Sequence, residues 1–495
     1  MRKFVFIIIF AICIPASAQT TAEQATESYF TTIKKDPKKL DFFLKTMPKG
    51  ADLHNHLGGA SMAENMIGYA ENDQLSINRR TFAIDVHPLG YPATSLKNLR
   101  HYPALYAATI DAWSMRNFHF EKESGHDHFF ATFEKYLPIL VRHRGEMLNE
   151  VVQRACEQNE LYLELMIMPD DNASGMLGRK IAWNPDLTQL RKNLLKRDLK
   201  NRVNDISKQL DAIENIQSLA HKNACYDFKV RYLYQVLREQ PAVQVFAQLL
   251  AGFELSNQDP RVLGINLVQA EDGKIAMKDY TLHMHMIKFL HRLYPKVHIS
   301  LHAGELVPGL VAASGLRFHI REAVDIAQAE RIGHGIDIAY ENKTVQLLKE
   351  MAKKHILVEI NLSSNEAILN VLGKAHPILL YMRYKVPVTL STDDEGVLRT
   401  NLTEQYKKAI LNYHFSYAII KMLVRNSIHY SFLPGKPLWE DDRYRRLVPV
   451  CLTSVGSPFI TIQCRYFLSK NEKAHLQWAL ENQFLVFEKQ FLKKH

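Results

Sequence analysis

The chain predicts an α/β fold, a closed (β/α)8 barrel with a long insert after strand one and helical N- and C-terminal extensions. Three observations carry that expectation. Eight short runs mix β-branched and apolar residues, at 51–56, 161–168, 229–236, 262–268, 297–303, 331–334, 356–361 and 387–392. Most are followed by a stretch of helical spacing, such as 281–293, 318–329 and 343–354, and strands alternating with helices imply a parallel sheet. Polar clusters end the first, fifth, sixth and eighth runs. An open doubly wound sheet is the rival arrangement, but only a closed ring readily brings four such ends together, and barrel enzymes place their chemistry at C-terminal strand ends.

The elements follow in order. Residues 20–47 read as a helical preface, a candidate interaction element. The first run carries His54 and His56 on one face, because alternate strand residues point the same way. About 105 residues then separate it from the second run, far more than one crossover helix needs. This insert holds the segment His101 to Trp113 and the aromatic cluster Phe129, Phe130 and Phe133, and is expected to form helices over the barrel mouth. A long charged helix is expected near 187–220. Beyond the eighth run, 403–424 reads as helix, Phe432-Leu-Pro-Gly435 as a stop, and 470–494 as a last helix. The expected division is therefore a signal peptide at 1–18, a helical extension at 19–46, the barrel at 47–430 with its insert at 57–160, and a helical extension at 431–495. No internal repeat or low-complexity linker interrupts it.

The 495 residues are 47% hydrophobic, ample for one large core with extensions or for two domains. Arg2 and Lys3 precede an apolar run from Phe4 to Ile14, and Pro15-Ala16-Ser17-Ala18 follows. That pattern is a secretory signal peptide cleaved after Ala18, too short to span a membrane, and no second membrane candidate is visible. Ile12 before Cys13 disfavours a lipoprotein. The mature chain is expected to be secreted or periplasmic. Its charge drops from +10 to +8 with the signal, and the basic excess lies in helical-looking stretches with no aromatic-interleaved motif, so nucleic acid is not an expected partner. Cys156, Cys225, Cys451 and Cys464 form no CxxC pair, which argues against a thiolate zinc site. An oxidising compartment permits a disulfide, with Cys451 and Cys464 nearest in sequence. Buried free thiols are the reading slightly favoured.

The four clusters define the chemistry. A catalytic divalent metal such as zinc needs ligands that leave one position open, a base near its water and an acid for the leaving side. His54, His56, His302 and Asp393 are the candidate metal ligands. Glu305, His334 and Asp394 are the candidate acid and base groups. Other histidine groups (His101, His126, His128, His283 and His285) do not end strands and read as surface or packing residues. Glu359 and Asn361 on the seventh run read as barrel packing. Asn361 and Asn401 fit the glycosylation sequon, but lie beside the proposed site and are discounted.

The run Met47-Pro48-Lys49-Gly50-Ala51-Asp52-Leu53-His54-Asn55-His56-Leu57 resembles the opening motif of the adenosine deaminases. His302-Ala-Gly-Glu305, Arg331-Ile-Gly-His334-Gly335 and Ser391-Thr-Asp393-Asp394 resemble the family's other signatures, in the family's order. Weaker echoes are Asn361-Leu-Ser-Ser-Asn365, His376-Pro377 and Leu402-Thr-Glu404. The likeness runs from about Met47 to Ile428. The signal, the insert and the Met-Pro-Lys-Gly start are similar to the secreted, growth-factor-related (adenosine deaminase 2-like) branch. The resemblance implies a (β/α)8 fold, one zinc per chain held by His54, His56, His302 and Asp393, and hydrolytic deamination of adenosine to inosine and ammonia. In it Glu305 protonates the purine ring nitrogen beside the reacting carbon, and His334 and Asp394 hold the attacking hydroxide.

Two departures bear on substrate. Gly58 and Gly59 follow Leu57 where many members carry an aspartate that contacts the ribose. Gln269 stands where the family usually has the glycine whose backbone approaches the purine, and a glutamine would fill that space. Gln269 and Gly304 are the candidate substrate-binding residues. The expected partner is a small purine nucleoside, and a homodimer is a candidate assembly. Alternatives are a deaminase of another aminopurine nucleoside or nucleotide, and a non-catalytic secreted binding or signalling protein on the same fold. The complete set of seven groups argues against the last.

Overall fold

The structure is a computed structural model that describes residues 20–85, 93–220, 228–457 and 459–492. The expected signal segment 1–18 lies outside them. Eight parallel strands run in sequence order: β1 (Gly50–His56), β2 (Glu160–Ile167), β3 (Lys229–Leu237), β4 (Val262–Val268), β5 (His298–Ala303), β6 (Arg331–His334), β7 (Leu357–Ile360) and β8 (Val388–Leu390). Neighbours in sequence are neighbours in space, which excludes the doubly wound rival, whose strand order must reverse at a switch point. The ring closes just past β8. Asp393 N–H donates to His54 O at 2.8 Å, and His56 N–H donates to Asp393 O at 3.0 Å. The barrel's seam is thus sewn by three of the candidate metal ligands. On β1 one extra residue lies between Asp52 and Asn55 relative to β2, a bulge beside His54.

The barrel interior is not wholly apolar. Arg331 on β6 is 1% exposed, and its guanidinium meets Glu164 of β2 and Glu359 of β7, each at 2.7 Å. Burying such charges is tolerable only when they are paired. Phe432 closes the bottom: its ring lies 3.8 Å from the Arg331 guanidinium carbon, and its N–H donates to Glu164. The Phe-Leu-Pro-Gly stop is therefore also a plug.

The insert forms helices Ala63–Asn72, Pro103–Ala112, Gly125–Arg142 and Arg144–Glu157, plus a small antiparallel sheet of three short strands. Ser124 caps the Gly125–Arg142 helix through Asp127 N–H. That helix lies over the barrel mouth. Leu140 sits beside Gly58 after β1, His126 bonds Asp272 after β4 at 2.9 Å, and Gly125 abuts Ala367 after β7. The Arg144–Glu157 helix packs instead on β2 and the Lys200–Ala220 helix, taking the place of the first crossover helix.

Some expected elements are shorter than their patterns suggest. The stretch near 187–220 breaks at Asp198, whose φ of +81° no helix accepts, leaving Leu187–Leu194 and Lys200–Ala220 as separate α-helices. The 403–424 pattern covers two helices, Leu402–Tyr413 and Tyr417–His429, parted at His414 in the left-handed region. The preface Thr21–Ile33 and Pro37–Thr46 buries Phe30, Leu40, Phe43 and Leu44 in the main core, where Phe43 meets Phe487 of the C-terminal helix. The favoured free-thiol reading is corrected. Cys451 and Cys464 form a disulfide, and Cys156 is disulfide-bonded as well. A turn and the start of the Ile462–Lys470 helix bring the first pair's Cα atoms to 4.8 Å, a closeness that their separation of 13 residues does not reveal.

Candidate active site

The strand ends converge at the C-terminal rim. His54 Nε2 lies 3.1 Å from His302 Nε2, and His56 Nε2 lies 3.2 Å from the same atom. Asp393 Oδ1 stands 3.6 Å from His54 Nε2 and 3.3 Å from His56 Nε2. All four side chains are buried.

Partners on the far side of each ring decide which nitrogen carries a proton. His54 Nδ1 donates to Glu359 Oε2 at 2.7 Å. Asn266 on β4 gives its amide hydrogen to Ser300 O, so its Oδ1 accepts from His302 Nδ1 at 2.6 Å. Both Nε2 atoms are left as lone pairs facing one another, and lone pairs repel without a cation between them. Donors about 2.0–2.1 Å from a tetrahedral ion stand about 3.3 Å apart. The four measured separations fit that requirement, and an imidazole and carboxylate set suits a divalent metal. His334 and Asp394 lie near enough to share the centre. The residues thus fit one metal ion, with the Glu359–His54 pair as its outer support.

The electrostatics ask for positive charge. Burial alone would lower the His54 pKa, but the Asp393 and Glu359 carboxylates outweigh it and lift it to about 10. Burial dominates at the other rings, taking His56 down to about 4 and His302 well below its ordinary value. Burial acts to raise the Asp393 pKa too, yet the surrounding histidines hold it well below the carboxylate range.

Glu305 is oriented through its backbone. Glu271 accepts the N–H groups of Gly304 and Glu305, each at 2.9 Å, and is itself bonded by His319 Nδ1. Burial would raise Glu271, but the His319 hydrogen bond overrides it and Glu271 falls to about 2. Glu305 goes the other way. Burial, then the Asp393 charge, push it up to about 8, so it holds a proton at neutral pH and can donate one. Asp394 rises well above the carboxylate range for the same two reasons. A methyl at Gly59 would overlap the Asp394 carboxylate, and one at Gly333 would lie 2.5 Å from His54 Cε1. Glycine is needed at both places for close approach.

The backbone is strained where the groups meet. Gln269, His334 and Asp393 all adopt positive φ, at 78°, 68° and 64°. Gln269 thus takes the glycine-like conformation without being glycine. Its Oε1 accepts from Glu239 N–H at 2.9 Å, and its carbonyl accepts from Arg238 Nε at 2.8 Å. The Gln269 side chain is exposed, with its Oε1 on Glu239 N–H. Gly304, at φ +78°, has its N–H on Glu271 and its carbonyl accepting from Ile336 and Asp337 N–H.

All seven candidate metal and acid–base residues are therefore brought together. Sequence reading passed over their supports: Glu271, Asn266 and Glu359, the last taken as packing. A signal was available for two of them. Asn266 and Glu359 are polar residues inside otherwise apolar strand runs, and buried polar groups need partners.

A family profile for adenosine deaminase matches residues 92–438, well over half of the chain. The chain belongs to the adenosine deaminase family. Relatives include the adenosine deaminase of Clostridium kluyveri, 24% identical over 402 residues, which cover 79% of this chain and 92% of that one. The adenosine deaminase of Vibrio vulnificus is 23% identical over 370 residues, covering 74% and 88%. Among solved structures, an amidohydrolase from Burkholderia ambifaria with bound zinc is 16% identical with a TM-score of 0.56, covering 91% of this chain and 94% of that one. The Arabidopsis N6-mAMP deaminase is 19% identical with a TM-score of 0.53, covering 79% and 95%. As an adenosine deaminase family member, the chain is a deaminase-type hydrolase on a TIM barrel, and the family is metal-dependent.

Proposed function

We propose that this chain is a zinc-dependent hydrolase that deaminates adenosine and 2'-deoxyadenosine to inosine and ammonia. The observation that carries the reading is the convergence of His54, His56, His302 and Asp393 beside the buried Glu305. The ion, when bound, supplies Lewis-acid activation of water. The chain's own groups do the rest. Glu305 donates its proton to the purine ring nitrogen next to the carbon that loses the amine, which makes that carbon electrophilic. Asp394, its carboxyl raised well above the usual range, hydrogen-bonds the attacking water and orients it. His334 supports the charge that develops on the oxygen. The Gly125–Arg142 helix excludes bulk water from the mouth.

Adenosine is favoured by the curated relatives, which are named for it. A solved neighbour that acts on N6-methyl-AMP, together with Gly58 in place of the usual aspartate, supports an aminopurine nucleotide as the second reading. The same proposal puts the chain in the secreted branch, exported to the periplasm or beyond. The signal-like start, the long insert and the disulfide chemistry support that placement.

Ammonia release from the purified mature chain tests the substrate, across adenosine, deoxyadenosine, adenine, adenosine monophosphate and its N6-methyl form. Adenosine should have the highest kcat/KM, chelation should abolish turnover, and zinc should restore it. Activity confined to a monophosphate would replace the nucleoside reading with the nucleotide one.

A further inference from the structure

We propose that Asn365 and His376 are positioning residues that fix the tautomer of His334, keeping its proton on Nε2, the nitrogen turned toward Asp393. The inference starts from a backbone amide, which can only donate. Ile378 N–H donates to His376 Nδ1 at 3.2 Å, so that nitrogen holds a lone pair and the neutral ring carries its hydrogen on Nε2. His376 is 3% exposed, and burial presses its pKa down to about 3, so it is neutral. Its Nε2–H points at Asn365 Oδ1, 3.1 Å away. That bond sets which way the Asn365 amide faces, and Asn365 Nδ2 then donates to His334 Nδ1 at 2.9 Å. His334 Nδ1 must be the acceptor, and its hydrogen must lie on Nε2.

The opposite tautomer would press two N–H groups together at 2.9 Å inside a buried site, and an unsatisfied buried donor is costly. A competing acceptor for a hydrogen on Nδ1, Glu305 Oε1, is farther off at 3.5 Å. Asn365 cannot readily yield. It is fully buried, its N–H donates to Asn361 O, and its carbonyl accepts from Val371 N–H. Asn361 fits this tautomer once its amide is turned over. Its Nδ2 lies 3.5 Å from His334 Nε2 while its Oδ1 lacks a partner. With a hydrogen on Nε2, turning that amide over gives the oxygen a donor.

The consequence for catalysis rests on the proposed function. His334 Nε2 stands 3.8 Å from Asp393 Oδ2, beside the metal centre. A neutral N–H there can donate to an oxygen on which negative charge develops, whereas the other tautomer would present a lone pair to it. A line of three hydrogen bonds from the Ile378 backbone to His334 thus delivers one hydrogen to the reaction centre.

Histidine-selective 15N labelling and long-range proton–nitrogen correlation spectra of the full chain, with and without zinc, report the tautomer directly. The His334 signal is assigned by its loss in His334→Gln. The wild type should show Nε2 protonated and Nδ1 bare in both states. Asn365→Asp, which offers an oxygen where the amide donated, should move a proton onto Nδ1. It should also cut kcat about 10²- to 10⁴-fold with KM and zinc content little changed. His376→Phe frees the amide to turn. It should give a mixed tautomer population and a loss of about tenfold. Protonation at Nδ1 in the wild type would overturn the proposal, as would an unchanged spectrum in Asn365→Asp. So would rate losses that merely track lost zinc in both variants. The spectra remain decisive if no purine proves to be a substrate, which separates failure of this inference from failure of the deaminase reading.

Discussion

The floor of the site and its roof are held in different ways. The floor rests on a buried chain of charge, Glu164 to Arg331 to Glu359 to His54, in which every member is nearly or wholly excluded from water. Each group has at least two partners, and each is carried by a barrel strand. The roof is one amphipathic helix, Gly125–Arg142, laid on apolar contacts and tied by the half-buried His126–Asp272 pair. The floor fixes what chemistry is available to within tenths of an ångström. The roof determines what reaches it. Damage to the floor should therefore remove reaction or metal, and damage to the roof should tune access and local stability.

The comparison breaks hardest at the ligands. His302→Ala should lose bound metal and measurable turnover together, read by elemental analysis and ammonia release. Glu305→Gln sharpens the contrast within the floor: metal content should stay at the wild-type level while kcat falls about 10²- to 10⁴-fold. Equal metal loss in both variants would contradict the separation of ligand from acid. Glu359→Gln keeps an acceptor for His54 but removes a charge from Arg331. Metal affinity should weaken about 10- to 100-fold, with a lower melting temperature, because a buried guanidinium is left with one carboxylate.

The roof should respond least, and to pH. Burial lowers the His126 pKa, but its bonds to Asp272 and Asp127 outweigh that and raise it to about 9. A histidine raised on folding stabilises fully below its unfolded pKa of about 6.5. That contribution is lost as pH climbs through about 9, and its size is on the order of 1 kcal/mol after solvent screening. Exchange protection in residues 125–142, taken relative to the intrinsic base-catalysed rate, should fall over that window, and His126→Gln should flatten the dependence. Protection that stays constant with pH in the wild type would show that the pair does not hold the helix.

The barrel was legible because its strands are written as compact apolar runs that end in polar clusters. All eight barrel strands overlap the runs read from sequence. The seven candidate groups were legible for the same reason, as chemistry-bearing residues sit at strand ends. Helix limits were less so. The left-handed breaks at Asp198 and His414 are not marked by anything in the local spacing. The backbone conformation at Gln269 was not legible, because a positive φ is set by the fold rather than by the residue type. The backbone kept the glycine conformation and the side chain turned to Glu239.

By itself, then, the sequence determined the class of fold and the donor types available, since periodicity and residue chemistry are local properties of the chain. Only the tertiary structure decided which nitrogen of each histidine bears a proton, which carboxyls stay ionised, and that the ring closes through His54, Asp393 and His56. Those outcomes depend on partners hundreds of residues away, such as Glu359 for His54 and Thr392 for Asp52. Hydrogen bonding and burial act over a few ångströms of space, and only folding converts distance along a chain into that kind of proximity.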